Sequence, residues 1–156
     1  MNFRLGEIRL TNGKVLIIIS NYYKDISENL LKSATTFLKN KSIIFDVIEV
    51  PGALEIPQVL NLTANISENK SFFYEGYIAL GCVIKGETYH FEIVCKETNR
   101  ALMDLALKYS FLIGNGIITA YDYDQALERS FKKGDEAALA CHELIQIKRK
   151  YNVDLD

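Results

Sequence analysis

Four apolar runs rich in β-branched residues recur about every thirty residues along the chain: Val15 to Ser20 (VLIIIS), Ile43 to Val50 (IIFDVIEV), Tyr77 to Ile84 (YIALGCVI) and Phe111 to Thr119 (FLIGNGIIT). Each has the length and composition of a strand covered on both faces. Between them, apolar residues repeat at helical spacing: Ile26, Leu30, Leu31, Ala34 and Leu38; then Leu54, Val59, Leu60 and Leu62 around Pro57; then Phe91, Val94, Cys95, Leu102, Leu105 and Ala106. After the fourth run, Asp124 to Phe131 predicts a short helix. The stretch from Gly134 onward predicts a longer one, acidic at its start and basic at its end as the helix dipole favours. Alternating strands and helices bury their apolar faces together as a parallel sheet with right-handed crossovers and helices on both sides. The expectation is an α/β protein: one three-layer αβα domain over residues 1–156 with a four-stranded parallel sheet. Within an arm over 1–13, Glu7 to Leu10 reads as an extra strand too short to stand alone, and so one that pairs with a neighbouring chain.

Charge and cysteine usage narrow the function. A formal net charge of -2 gives no broad field to attract nucleic acid or anionic lipid, so neither is an expected partner. The opening MNFRLGEIRLTNGK lacks the apolar core of a signal peptide, and no run of 18 apolar residues occurs, which leads to the expectation of a soluble cytoplasmic protein with no membrane association. Cys82, Cys95 and Cys141 are odd in number and form no CxxC pair. They read as small buried hydrophobes in a reducing compartment, with no metal site expected.

In sheets of this kind ligands bind beyond the carboxyl ends of the strands. Four loops fall there: Ser20 to Tyr23, Val50 to Glu55, Lys85 to His90, and Ala120 to Asp122. They offer aromatic rings, a carboxylate, a glycine turn and a histidine, a set suited to a flat polar molecule carrying an anion. Gly81-x4-Gly86-Glu87-Thr88 nearly spells a P-loop, but Glu87 stands where a lysine must reach the phosphates. Gly114-Asn115-Gly116 starts like a dinucleotide fingerprint, yet it lacks the third glycine and lies in the last strand. The Gly86 turn then has two readings: free N–H groups of a helix start holding one phosphate, or an ordinary helix start capped by Thr88. His90, at that start, is either a base kept available by the helix dipole or a structural side chain. His142 lies mid-helix among apolar residues and reads as structural. Arg129 and Lys133 either fix an anion or form a solvated helix face. Glu55 either accepts from hydroxyls or caps its own helix.

The segments "VPGALEIP" (50–57), "ALGCVIKGETYHFEIVC" (79–95), "NGIITAYDYDQALERS" (115–130) and "KGDEAA" (133–138), with the opening "VLIIISNYY", resemble the lumazine synthase family in order and spacing. The resemblance implies a flavodoxin-like fold and an enzyme of riboflavin biosynthesis. Its reaction would condense 5-amino-6-ribitylaminouracil with 3,4-dihydroxy-2-butanone 4-phosphate, releasing phosphate and water, with small-molecule substrates and no cofactor. On this likeness Tyr22 stacks on the pyrimidine, while Ala53, Leu54 and Glu55 meet the ribityl chain. Val83 and Ile84 line the ring pocket, Gly86, Glu87, Thr88 and Arg129 hold the phosphate, and His90 shuttles protons. Lys133 and the backbone of Asn115 lie near the ring. The likeness further implies a homo-oligomer built on pentamers, with each site at a subunit interface. Three departures stand out: Lys85 where arginine is common, Asn115 for a frequent phenylalanine, and a shortened stretch between Arg129 and Lys133.

Overall fold

The computed structural model describes residues 13–67 and 74–152. Strands Lys14–Ser20 (β1), Phe45–Val50 (β2), Tyr74–Ile84 (β3) and Ile113–Ala120 (β4) form one sheet in the order β2-β1-β3-β4, every pair parallel. Helices Lys24–Asn40 (α1), Glu55–Ser67 (α2), His90–Tyr109 (α3) and Tyr123–Asn152 (α4) complete the three layers. The order reverses between β1 and β3, the switch point of flavodoxin-like sheets.

The period of two along each strand divides the core. Val15, Ile17 and Ile19 of β1 face Ile26, Leu30, Ala34 and Leu38 of α1 and Ala137, Ala138, Cys141 and Ile145 of α4. The intervening Leu16 and Ile18 face Ile56 and Leu60 of α2 and Val94 and Leu102 of α3. That double burial explains why the central strand reads as an unbroken apolar run. At the amino end of the sheet, Asp46 of β2 accepts a hydrogen bond from the Tyr74 hydroxyl of β3 (2.7 Å) and pairs with Lys14 of β1 (2.6 Å), joining three strands.

Two expectations are corrected. The two terminal helices are a single helix, α4, through Gly134. A Cβ at Gly134 would lie 2.1 Å from the Leu30 carbonyl oxygen and 2.3 Å from Ser33 Oγ. The glycine lets α4 cross α1 at backbone contact, and this packing offsets the roughly 0.8–1.0 kcal/mol that glycine costs in a helix relative to alanine. Beside it, Asn29 of α1 donates to the buried Ser130 hydroxyl (2.9 Å). Strand limits also shift: β3 begins at Tyr74 rather than Tyr77, β2 at Phe45 rather than Ile43, and β4 at Ile113 rather than Phe111. The expected Glu7 to Leu10 strand lies outside the described residues. Among the described residues no helix is long and apolar enough to cross a membrane.

Candidate active site

The carboxyl ends of β1, β2 and β3 open into a cleft of about 390 Å³. Tyr22 and Tyr23 follow β1 and form one wall, their rings edge to face with centroids 5.0 Å apart. The segment after β2 adds Gly52, Ala53, Leu54 and Glu55. Glu55 starts α2, and its carboxylate bends back so that a Cβ at Gly52 would lie 2.8 Å from Oε2. Cys82, Val83 and Ile84 form the floor at the end of β3, and Gly86, Thr88, His90, Phe91 and Val94 close the far side.

The turn between β3 and α3 is tied to β4 by the Lys85 N–H, which donates to the Ala120 carbonyl (2.9 Å). Residues 85 to 90 beyond it are exposed. Helix α3 starts at His90, with Tyr89 at the N-cap position and no side-chain cap, so Thr88 does not cap it. A Cβ at Gly86 would meet nothing within 4 Å, so its backbone is open to the cleft. Together these features leave first-turn N–H groups without a capping side chain, as an anion site requires. Glu87 is exposed and is not part of the cleft wall.

Arg129 and Lys133 lie elsewhere, in a second cleft of about 600 Å³ between β4 and α4 that also includes Ile117, Thr119 and Lys132. Arg129 Nη1 donates to the Gln125 carbonyl (3.1 Å), and Lys133 Nζ is 3.5 Å from Glu136. Asn115 is exposed on the edge strand β4. Its amide donates to Asn99 Oδ1 (2.6 Å), and its own oxygen accepts from the Ile117 N–H (3.0 Å). The structure therefore gathers Tyr22, Ala53, Leu54, Glu55, Val83, Ile84, Gly86, Thr88 and His90 into one cleft, and leaves Asn115, Arg129 and Lys133 apart from it.

Five cleft residues were not among the predicted site residues: Tyr23, Gly52, Cys82, Phe91 and Val94. Tyr23 stood in a loop already singled out, whereas Phe91 was absorbed into the apolar face of its helix. Burial, and then the neighbouring Cys82 and Tyr22, raise the Tyr23 phenol above its usual range. Burial pushes the Cys82 thiol up to about 12 and Cys141 likewise to about 12, so both are neutral near pH 7. That fits the reading of them as small buried side chains. Cys95 is only half-buried, and burial raises it too. His142 packs edge to face on Phe37 of α1 with centroids 6.0 Å apart, a structural role as expected.

Fold and cleft together define a doubly wound α/β protein of the class whose small-molecule clefts open at the carboxyl ends of the strands. Residues 12–149 match the family described as 6,7-dimethyl-8-ribityllumazine synthase, and the chain belongs to that family of transferases. It is 45% identical over 145 residues to the 6,7-dimethyl-8-ribityllumazine synthase of Agrobacterium fabrum, covering 90% of this chain and 98% of that one. The protein of the same description from Bartonella bacilliformis is 44% identical over 144 residues, covering 90% of this chain and 93% of its own. That from Afipia carboxidovorans is 43% identical over 145 residues, covering 90% and 89%.

Proposed function

We propose that this protein condenses 5-amino-6-ribitylaminouracil with 3,4-dihydroxy-2-butanone 4-phosphate to 6,7-dimethyl-8-ribityllumazine, releasing phosphate and water, in riboflavin biosynthesis. The observation that carries the reading is the single cleft in which an aromatic wall, a carboxylate, an uncapped helix start and a histidine converge, in a chain of this family. Tyr22 stacks on the pyrimidine. Glu55 accepts from the ribityl hydroxyls beside Ala53 and Leu54, and Val83 and Ile84 bound the ring. Gly86 and Thr88 hold the phosphate with their backbone, and Glu87 contributes through its own N–H.

The amine attacks the ketone, the carbinolamine loses water, phosphate leaves by β-elimination and the ring closes. Every step moves a proton, and no step needs a redox cofactor. His90 carries those protons, a contribution of about 10²–10⁴-fold. Holding both substrates in attack geometry contributes more, since effective molarities reach about 10⁵–10⁸ M.

The site is completed by a neighbouring copy that brings Asn115, Arg129 and Lys133 to the cleft, within a homo-oligomer built on pentamers. Two findings support this: those residues do not share the cleft of their own chain, and large aromatics of the loops around it are bare, with Tyr22 73% and Tyr89 72% exposed. A cytoplasmic location accords with three free thiols. Mixing the two substrates with the protein and following the lumazine chromophore tests the reaction, and sedimentation velocity on the same sample tests the ring. A well-folded ring that forms no lumazine would refute the reading.

A further inference from the structure

Tyr121, the first residue past β4, takes no part in the reaction as proposed and does not line the cleft. Its ring nevertheless touches both flanks of the turn that does. Lys85 Nζ lies 5.6 Å from the centroid of the Tyr121 ring, and the Phe91 ring lies 6.3 Å away at 45°. Lys85 immediately precedes Gly86, and Phe91 immediately follows His90. We infer that Tyr121 is a positioning residue, a brace that ties both ends of the 86–90 turn to the end of β4 and so sets the aim of its backbone N–H groups and of His90. The inference rests on the proposed role of that turn in holding the substrate phosphate.

The brace has a fixed base. The Tyr121 N–H donates to Gln125 Oε1 (3.2 Å), and the Gln125 N–H donates to Asp122 Oδ1 (2.9 Å), a reciprocal cap that holds the start of α4. The Lys85 N–H bond to the Ala120 carbonyl anchors the same corner from the turn's side. The turn itself has little to hold it: residues 85 to 90 are exposed, α3 has no side-chain cap, and a Cβ at Gly86 would meet nothing within 4 Å. Backbone donors stabilise an anion only as far as they are aimed before it arrives. The ring also parks the Lys85 ammonium beside the turn, where its charge favours a bound dianion.

Steady-state kinetics on the full chain, with each substrate varied in turn, tests the brace with Tyr121→Ala and Tyr121→Phe. The alanine variant is expected to raise KM for the butanone phosphate roughly 3–10-fold while shifting KM for the pyrimidine less than about twofold. The phenylalanine variant keeps the ring and is expected to match the wild type. Equilibrium binding of inorganic phosphate, measured by calorimetry, should weaken in the same proportion in Tyr121→Ala only. This readout stands even if the wild type forms no lumazine, an outcome that would sink the proposed reaction and leave the brace to be decided by phosphate binding. Unchanged phosphate affinity in Tyr121→Ala, an equal loss for both substrates, or equal damage in Tyr121→Phe would overturn the brace.

Discussion

His90 and Arg129 line different clefts of the same chain, the first opening α3 beside the β3 turn and the second standing on α4 behind β4. If both act on one phosphate, the two must come from different copies. His90→Ala is then expected to turn over about 10²–10⁴-fold more slowly yet measurably, because orientation survives. Arg129→Ala is expected mainly to raise KM for the phosphate substrate. Refolding the two variants together at equal amounts regenerates intact seams at about a quarter of the positions around a cyclic ring. With the phosphate substrate held well below the KM of Arg129→Ala, turnover of the mixture should therefore rise well above that of either variant alone. No recovery in a properly assembled mixture would show that each site is built within one chain.

Gly134 sets a test in which local preference and packing disagree. Helix propensity alone says that Gly134→Ala stabilises α4 by up to about 1 kcal/mol. The Leu30 carbonyl 2.1 Å from the added methyl says otherwise, because backbone cannot yield as a flexible side chain can. The expected result is a net loss of about 1–3 kcal/mol in urea unfolding. A gain in stability would mean that α1 and α4 separate without cost.

Much of this architecture was legible because the central strands are covered on both faces. VLIIIS can be so uniformly apolar only where alternate side chains enter two cores, and the loops that follow such strands are where a ligand must lie. Gly134 misled for the converse reason: a glycine needed for a helix crossing is identical in sequence to one that ends a helix, and only the partner backbone tells them apart. The glycines of GNGIIT carry the same lesson. A Cβ at Gly114 would fall 1.9 Å from the Ala137 carbonyl oxygen, so that glycine serves the packing of α4 on β4 rather than a dinucleotide. Tyr121 stood in one of the four loops, but its contacts were hidden because they join residues 30 or more positions apart, which no local spacing records.

The Asp46 clamp predicts an acid-side dependence of stability. The hydrogen bond from Lys14, aided by that from Tyr74 and opposed by burial, holds the Asp46 carboxyl below its usual range. A depressed carboxylate favours the fold above its unfolded pKa of about 4 and loses that contribution as pH falls through the lower folded value. Between pH 5 and pH 3 the wild type should therefore lose more Tm than Asp46→Asn, whose side chain does not titrate. Parallel curves for the two proteins over that interval would show that the clamp adds nothing.

Cys82 offers the last test, because a thiol in the cleft floor invites a nucleophilic role that its surroundings oppose. Burial first, then the nearby Cys95 and Asp25, push it up to about 12. Only the thiolate attacks an alkylating reagent, so at pH 8 the folded Cys82 should react with iodoacetamide roughly a thousandfold more slowly than an unfolded cysteine. Mass spectrometry of the digested protein after timed exposure gives the rate at each cysteine, with guanidinium-unfolded chain as the reference. The raised value also means that the thiol adds stability below its unfolded pKa near 9 and loses it as pH climbs toward 12, so protection should fade only on that alkaline side. Rapid modification of Cys82 at neutral pH, with turnover lost in step, would reveal a stabilised thiolate and force a nucleophile into the mechanism in place of proton transfer by His90 alone.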